Sequence, residues 1–333
     1  MKLVTFTHDG SAPRSGALID DGVTVVDLSS ASASIVSSGV EDGRLASVQA
    51  MIDAGDDALD AAYAAIAKAP ASAKVSVADI VLQAPVPKPI QMRDCLCFEG
   101  HLLAAFPNLR QIYADQFDDP AEKLAEFERQ GTLTVPQVFY QQPMYYKANR
   151  FAVIGTGQDV IWPHYSKLLD FELEFGIFIK KRGKDIAVDT ARDYIFGYTI
   201  FNDFTARDAQ IGEMGGLGPA KAKDFDTANA MGPCLVTADE LSDPYNLTMV
   251  ARVNGEEWTR ANSRSMHWSF EQVIAHVTRS ETLYPGEFLG SGTVEGGCGL
   301  ELMRFLSPGD VVELEIEGIG TLRNRLVMPG EGA

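Results

Sequence analysis

Short apolar runs with strand-like composition dominate the second half of this 333-residue chain, in DVIWP, FELEFGIFIKK, YIFGYTIFND, CLVTADEL, EFLGSGTV and GDVVELEIEG, and some of them, such as FELEF and VVELEIE, alternate apolar with polar positions. Period-two alternation is the mark of a strand with two different faces. LTMVARVNGEEWT adds a hairpin, because Asn254-Gly255 supplies the positive φ angles of a tight turn between two strand-like runs. Helical spacing is confined to a few places: EGHLLAAF, then DPAEKLAEFERQ with Pro120 at a helix start, and the amphipathic SFEQVIAHVTRS.

The N-terminal part reads similarly on a smaller scale. KLVTFTH and SGALIDDGVTVVDL alternate, with Asp21-Gly22 at a hairpin turn, and the Ala-rich stretch 44–69 predicts a helix interrupted at Gly55. Prolines 85, 87 and 89 forbid a helix interior and mark a linker. The pattern predicts a mainly β, α+β protein: a small β-rich domain with a helical appendix over 1–85, and a larger domain over 86–333.

Charge then narrows the partners. The formal net charge of -18 disfavours nucleic acid and anionic membrane, which require basic surfaces. No basic leader with an apolar core and no apolar run of about 20 residues is present, so a cytoplasmic location is expected. The four cysteines (95, 97, 234, 298) and five histidines fit neither a zinc knuckle nor a redox C-x-x-C, and predict free thiols.

One strand pattern does not fit simple burial. In DFELEFGIFIK, Glu172 and Glu174 share a face, with roughly 7 Å between their Cα atoms, while Phe171, Leu173 and Phe175 take the other. FGIFI is apolar on both sides, which marks a strand covered on both faces. Burying unpaired carboxylates costs several kcal/mol, so such a pair is expected to be neutralised by partners or by a metal. Asp203 closes the next strand, and carboxylates without histidine point to Mg²⁺, Mn²⁺ or Ca²⁺.

LDFELE, FNDFTARDAQ, GPAKAKDFDT and GSGTV, in that order, resemble the successive motifs of the fumarylacetoacetate hydrolase family over about residues 80–330. The resemblance implies that family's mixed β-sandwich roll, preceded by a small SH3-like β domain, and a homodimer. It implies one divalent metal ion (Mg²⁺, Mn²⁺ or Ca²⁺) on Glu172, Glu174 and Asp203, joined in the fumarylacetoacetases by Asp94, seven residues before a catalytic histidine matched by His101. Glu301 would orient the histidine. Lys223 and Gln210 would contact substrate oxygens, and Arg110, Tyr146, Arg207 and Thr293 would bind substrate.

What this implies is hydrolysis of a carbon–carbon bond in a small anionic 1,3-diketo acid. A metal would stabilise the departing enolate, His101 with Glu301 would activate water, and Lys223 with Gln210 would stabilise the oxyanion. Decarboxylases, hydratases and tautomerases of 2-oxo acids on the same fold are the alternative, and a non-catalytic metal-stabilised binding protein is the second. Two departures bear on the substrate: the segment 111–145, expected to roof the pocket, and Asp226, which stands beside the lysine where the fumarylacetoacetases carry a small residue.

Overall fold

The computed structural model describes residues 1–8, 10–35, 39–214 and 218–330. Two sheets carry the fold. The larger has twelve strands, and its central order runs Lys2–Thr7, Asn229–Thr237, Ile195–Asp203, Leu173–Ile179, Phe288–Gly290, Met92–Leu96 and Met144–Lys147. The second has five: Glu256–Asn262, Thr248–Val253, Val311–Ile316, Gly320–Val327 and Val160–Ile161. This is a mixed α+β architecture built on large sheets.

Strand Leu173–Ile179 is buried at every residue, and its alternation sorts side chains into two cores. Leu173, Phe175, Ile177 and Ile179 join the main core, together with Met249, Leu314 and Leu322 of the second sheet. Phe178, from the opposite face, joins a second core with Phe201, Phe288 and Leu3. Glu174 and Gly176 stand on the face of Phe178, so the carboxylate is turned away from the second sheet.

The N-terminal strands are joined to the large sheet. Lys2–Thr7 pairs antiparallel with Asn229–Thr237, placing Lys2 opposite Val236, and the hairpin Arg14–Ile19 to Thr24–Asp27 continues outward from it. These strands therefore extend the large sheet, and the second core draws Leu3, Val26 and Met51 together with Phe196 and Phe288. An SH3-like barrel is not confirmed here.

Local signals translate directly. The Ala-rich stretch forms helices Val48–Ala54 and Asp56–Ala67, broken at Gly55, whose φ of 63° no ordinary helix interior adopts. Helix Pro120–Gln130 starts on an Asp119 cap, its side chain accepting from the Glu122 amide at 3.0 Å, and stops at Gly131. Ser269 and Gln272 form a reciprocal capping box on helix Phe270–Val277. Asn254 and Gly255 turn the expected hairpin with φ values of 53° and 81°. All four cysteines are free and buried. Among the described residues no helix is long and apolar enough to cross a membrane.

Candidate active site

Three strands of the large sheet bring their carboxylates to one place. Glu174 lies opposite Phe201 in the antiparallel register, so Asp203, two residues further on, projects from the same face. On the other side, Gly176 pairs with Gly290, and Gly290 with Asp94. A side chain at Gly290 would collide with the Asp94 carboxylate; the bare backbone there is what lets Asp94 lie across the sheet toward Glu174. As a result, Asp94, Glu174 and Asp203 each offer a carboxylate oxygen within 4.8 Å of the others.

These groups are buried, with Glu174 and Asp203 fully covered. Burial, reinforced by the neighbouring Asp203, pushes Asp94 up to about 7. Burial also raises Asp203 to about 6 and, with the charges of Asp94 and Glu172, lifts Glu174 well above the usual carboxylate range. Glu174 Oε2 and Asp203 Oδ1 have no hydrogen-bond partner. Clustered hard oxygen donors, mutually repelling and with unsatisfied buried atoms, fit a divalent cation such as Mg²⁺, Mn²⁺ or Ca²⁺.

Glu172, the fourth carboxylate, lies just ahead of the strand in the same cavity, and its oxygens are engaged differently. Oε1 is 2.8 Å from Arg207 Nη1, and Oε2 accepts from Lys223 Nζ at 2.5 Å. Burial opposes ionisation, yet Lys223 and Arg207 outweigh it and hold Glu172 down at about 2. Lys223 also donates to Asp203 Oδ2 at 2.5 Å and to Thr205 Oγ1 at 2.8 Å, so its three hydrogens are all used. Burial works against its charge too, but Asp203 and Glu172 keep it above the usual lysine range.

Across the cavity, helix Glu99–Ala114 carries His101 in its first turn, and the short helix Gly299–Leu302 carries Glu301. His101 Nδ1 lies 2.7 Å from Glu301 Oε1, while Glu301 Oε2 accepts from the Gly296 amide at 2.7 Å. Cys298 comes within reach of the same carboxylate at 3.5 Å. Its thiol is pushed well above the normal value, chiefly by burial, and donates to that carboxylate.

Other expected residues are distributed unevenly. Tyr146 donates to Asp203 Oδ2 at 2.5 Å, Thr293 donates to Glu174 Oε1 at 3.2 Å, and Gln210 Oε1 accepts from Arg207 Nη1 at 2.9 Å; all line the cavity. Arg110 does not line it: its Nη1 donates to the Leu133 carbonyl at 2.8 Å, which ties helix to loop. Asp226 is exposed and outside the cavity, and the partners of Lys223 are those named above. From the segment 111–145, only Met144 and Tyr145 reach the cavity wall.

The residue that sequence reasoning missed is Asp170. Fully buried, it accepts from Arg207 Nε at 2.9 Å and from the amides of Gly299 and Leu300 at 2.7 and 2.9 Å. It thereby fixes both the arginine that holds Glu172 and the turn that carries Glu301. The signal was its place in DFELE, two residues before Glu172, because period two puts Asp170 on the face of the two glutamates.

Residues 119–327 match the family model for the fumarylacetoacetate (FAA) hydrolase C-terminal domain. The chain belongs to this enzyme family. The mitochondrial oxaloacetate tautomerase FAHD2A of Bos taurus is 36% identical over 207 residues, covering 61% of this chain and 63% of that protein. The mitochondrial oxaloacetate tautomerase fahd2 of Xenopus laevis is 29% identical over 329 residues, 98% of this chain and 90% of that protein. Fumarylacetoacetate hydrolase from psychrophilic Exiguobacterium antarcticum aligns with a TM-score of 0.73 at 23% identity, covering 98% and 99% of the two chains. Maleylpyruvate hydrolase from Sphingobium sp. SYK-6 aligns at 0.71 and 21%, covering 98% and 100%. At such identities the structures show a shared fold. The chain spans a little under two thirds of the bovine relatives it matches, at 63%.

Proposed function

We propose that this chain is an enzyme that moves a proton at the carbon next to the carbonyl of a small 2-oxo acid, a keto–enol tautomerase or isomerase rather than primarily a carbon–carbon hydrolase. The observation that carries this reading is the His101–Glu301 pair, at 2.7 Å, facing the carboxylate cluster across one cavity of about 380 Å³. That volume suits a small molecule. The relatives at 36% identity, named as tautomerases, support proton transfer without bond cleavage.

Asp94, Glu174 and Asp203, with Glu172 beside them, would hold a divalent cation. When bound, it supplies Lewis-acid polarisation of the substrate carbonyl and so acidifies the neighbouring C–H.

The protein's own groups account for the rest. A carboxylate can only accept, so Glu301 places the proton of a neutral His101 on Nδ1 and leaves Nε2 as the basic nitrogen. That nitrogen takes a proton from one carbon of the substrate, and the same imidazolium returns it to carbon or oxygen. Lys223 and Arg207 hold Glu172 charged and in place, and Gln210 and Thr293 are the neutral groups on the cavity wall suited to orient substrate oxygens. Burial keeps water from competing for these bonds.

A second reading is hydrolysis of a 1,3-diketo acid of the fumarylacetoacetate or acylpyruvate type. It draws on the same pair, since a histidine oriented by a carboxylate is also what water activation needs. The two readings separate in one assay. With Mg²⁺ or Mn²⁺ present, enol forms of 2-oxo acids are followed in the ultraviolet while diketo acids are incubated in parallel and their products identified. Accelerated enol decay without fragments supports tautomerisation, whereas stoichiometric fragments from the diketo acids with unchanged enol decay would replace it by hydrolysis.

A further inference from the structure

Beside its polar groups the cavity wall carries a set of apolar side chains. Along helix Glu99–Ala114, His101 is followed on the same face by Ala105 and Leu109, with Leu102 and Phe106 beside them, and all line the cavity. At 1.5 Å per residue, this apolar face reaches about 12 Å from the histidine. Met144, Met214 and Leu300 add apolar wall from three other segments, alongside Leu96, Tyr145 and Pro219.

Charge is distributed to match. Among the described residues the cations lining the cavity are Arg207 and Lys223, and the charge of each is paired, with Asp170 and Glu172 and with Glu172 and Asp203 respectively; Arg207 Nη2 lies 2.8 Å from Asp170 without hydrogen-bond alignment. Arg110, the residue that could have met a distant carboxylate, is not among the cavity-lining residues: its Nη1 donates to the Leu133 carbonyl and its buried Nε has no hydrogen-bond partner. A second carboxylate on the substrate, carried beyond the carbonyl, would lie against Phe106, Leu109 and Met214 and lose its hydration without a partner.

We infer that the substrate is a 2-oxo monocarboxylate with an apolar alkyl or aryl tail: the oxo-acid head lies at the carboxylate cluster and His101, and the tail lies along Leu102, Phe106, Leu109 and Met214. This rests on the reading of the site as one that acts beside a 2-oxo acid carbonyl. It sets the chain apart from a preference for dicarboxylates such as oxaloacetate or fumaryl-bearing diketo acids. Phe106, Leu109 and Met214 are the specificity-determining side chains.

The test is a matched series on the full chain with Mg²⁺: straight-chain 2-oxo monocarboxylates from four to eight carbons, phenylpyruvate, and the dicarboxylates oxaloacetate, 2-oxoglutarate and 2-oxoadipate. Two quantities are read, exchange of the C3 protons into D₂O by NMR and binding by calorimetry. The expected result is kcat/KM rising about fourfold per added methylene, the effect of burying one CH₂. Dicarboxylates should fall on the order of 100-fold below monocarboxylates of equal length. Phe106→Arg should narrow that gap by disfavouring the long tails and favouring the dicarboxylates.

Dicarboxylates exchanged as fast as the apolar acids would overturn the inference and leave the proton-transfer reading intact. Tight binding of long-tailed acids without exchange of any substrate would do the reverse, upholding the apolar tail site and removing the reaction assigned to it.

Discussion

His101 and Glu301, 200 residues apart in the chain, meet through Nδ1 and Oε1 at 2.7 Å. The contact is possible because two helix starts converge on the cavity, and because Glu301 is itself fixed by the Gly296 amide. His101→Ala should lower kcat between about 100-fold and about 10,000-fold, the usual contribution of a positioned acid–base group. Glu301→Gln should give a smaller loss, in kcat more than in KM, since the substituted amide can misplace the tautomer without touching substrate. Steady-state kinetics on the best 2-oxo acid checks both, and a Glu301→Gln enzyme as fast as wild type contradicts the pairing.

The carboxylate cluster should make cation binding depend on pH. Asp94 rises from an ordinary 3.8 to about 7 in the fold, so folding favours its protonated form. Its contribution to stability is fully present below the unfolded value and is lost as pH climbs through about 7. Asp203, raised to about 6, behaves in the same sense at slightly lower pH. A cation competes with these protons. The rise in melting temperature on adding Mn²⁺ should therefore be small near pH 5.5 and large near pH 8, and should shrink at pH 8 in Glu174→Gln. Equal shifts at both pH values in wild type would rule out the cluster as the binding site.

Asp170 touches no cavity surface, yet it holds Arg207 and the amides of Gly299 and Leu300. Asp170→Asn breaks a fully buried ion pair and leaves Arg207 short of its partner, a change that costs on the order of 3–5 kcal/mol. Denaturant unfolding measures that loss. Activity should fall as well, through displacement of Glu301, and both effects absent together would show that Asp170 is dispensable.

Gly292 has a φ of 74°, and a side chain there would strike the carbonyl of Cys95. Its amide also donates to Asp94 Oδ1 at 3.2 Å, so the backbone at this point holds one carboxylate of the cluster and leads into Thr293, which bonds another. Gly292→Ala should destabilise the fold by more than about 1 kcal/mol and weaken Mn²⁺ binding in the same protein. Unchanged unfolding and metal titrations would contradict that double role.

Much of this was legible in the sequence where one physical rule decided the outcome. Period two put Glu172 and Glu174 on one face of the segment that enters a covered strand, and Gly55, Pro120 and Asn254-Gly255 marked their helix and turn boundaries by backbone chemistry. What one strand cannot show is how its neighbours are registered. That Asp94 reaches the cluster across Gly290 depends on a parallel pairing between residues nearly 200 apart, and only the interval to His101 hinted at it. The division of labour among the carboxylates was equally hidden, because what sets Glu172 apart from Glu174 is its contacts with Arg207 and Lys223. Arg110 shows the opposite failure: a matching interval put it near the substrate, while the helix turn it occupies directs its guanidinium to Leu133. The N-terminal hairpin was legible because hairpins are local, whereas strand addition to Asn229–Thr237 is a long-range event that no local pattern shows.

The central claim is that His101 carries a proton to and from the carbon beside a 2-oxo acid carbonyl. The most direct measurement is deuterium wash-in at C3 of a long-tailed 2-oxo acid in D₂O with Mg²⁺, followed by NMR for wild type and His101→Gln side by side. Rapid wash-in by wild type and loss of at least about 100-fold in His101→Gln is the predicted result. Wash-in that proceeds equally in both proteins, or in neither, would contradict it.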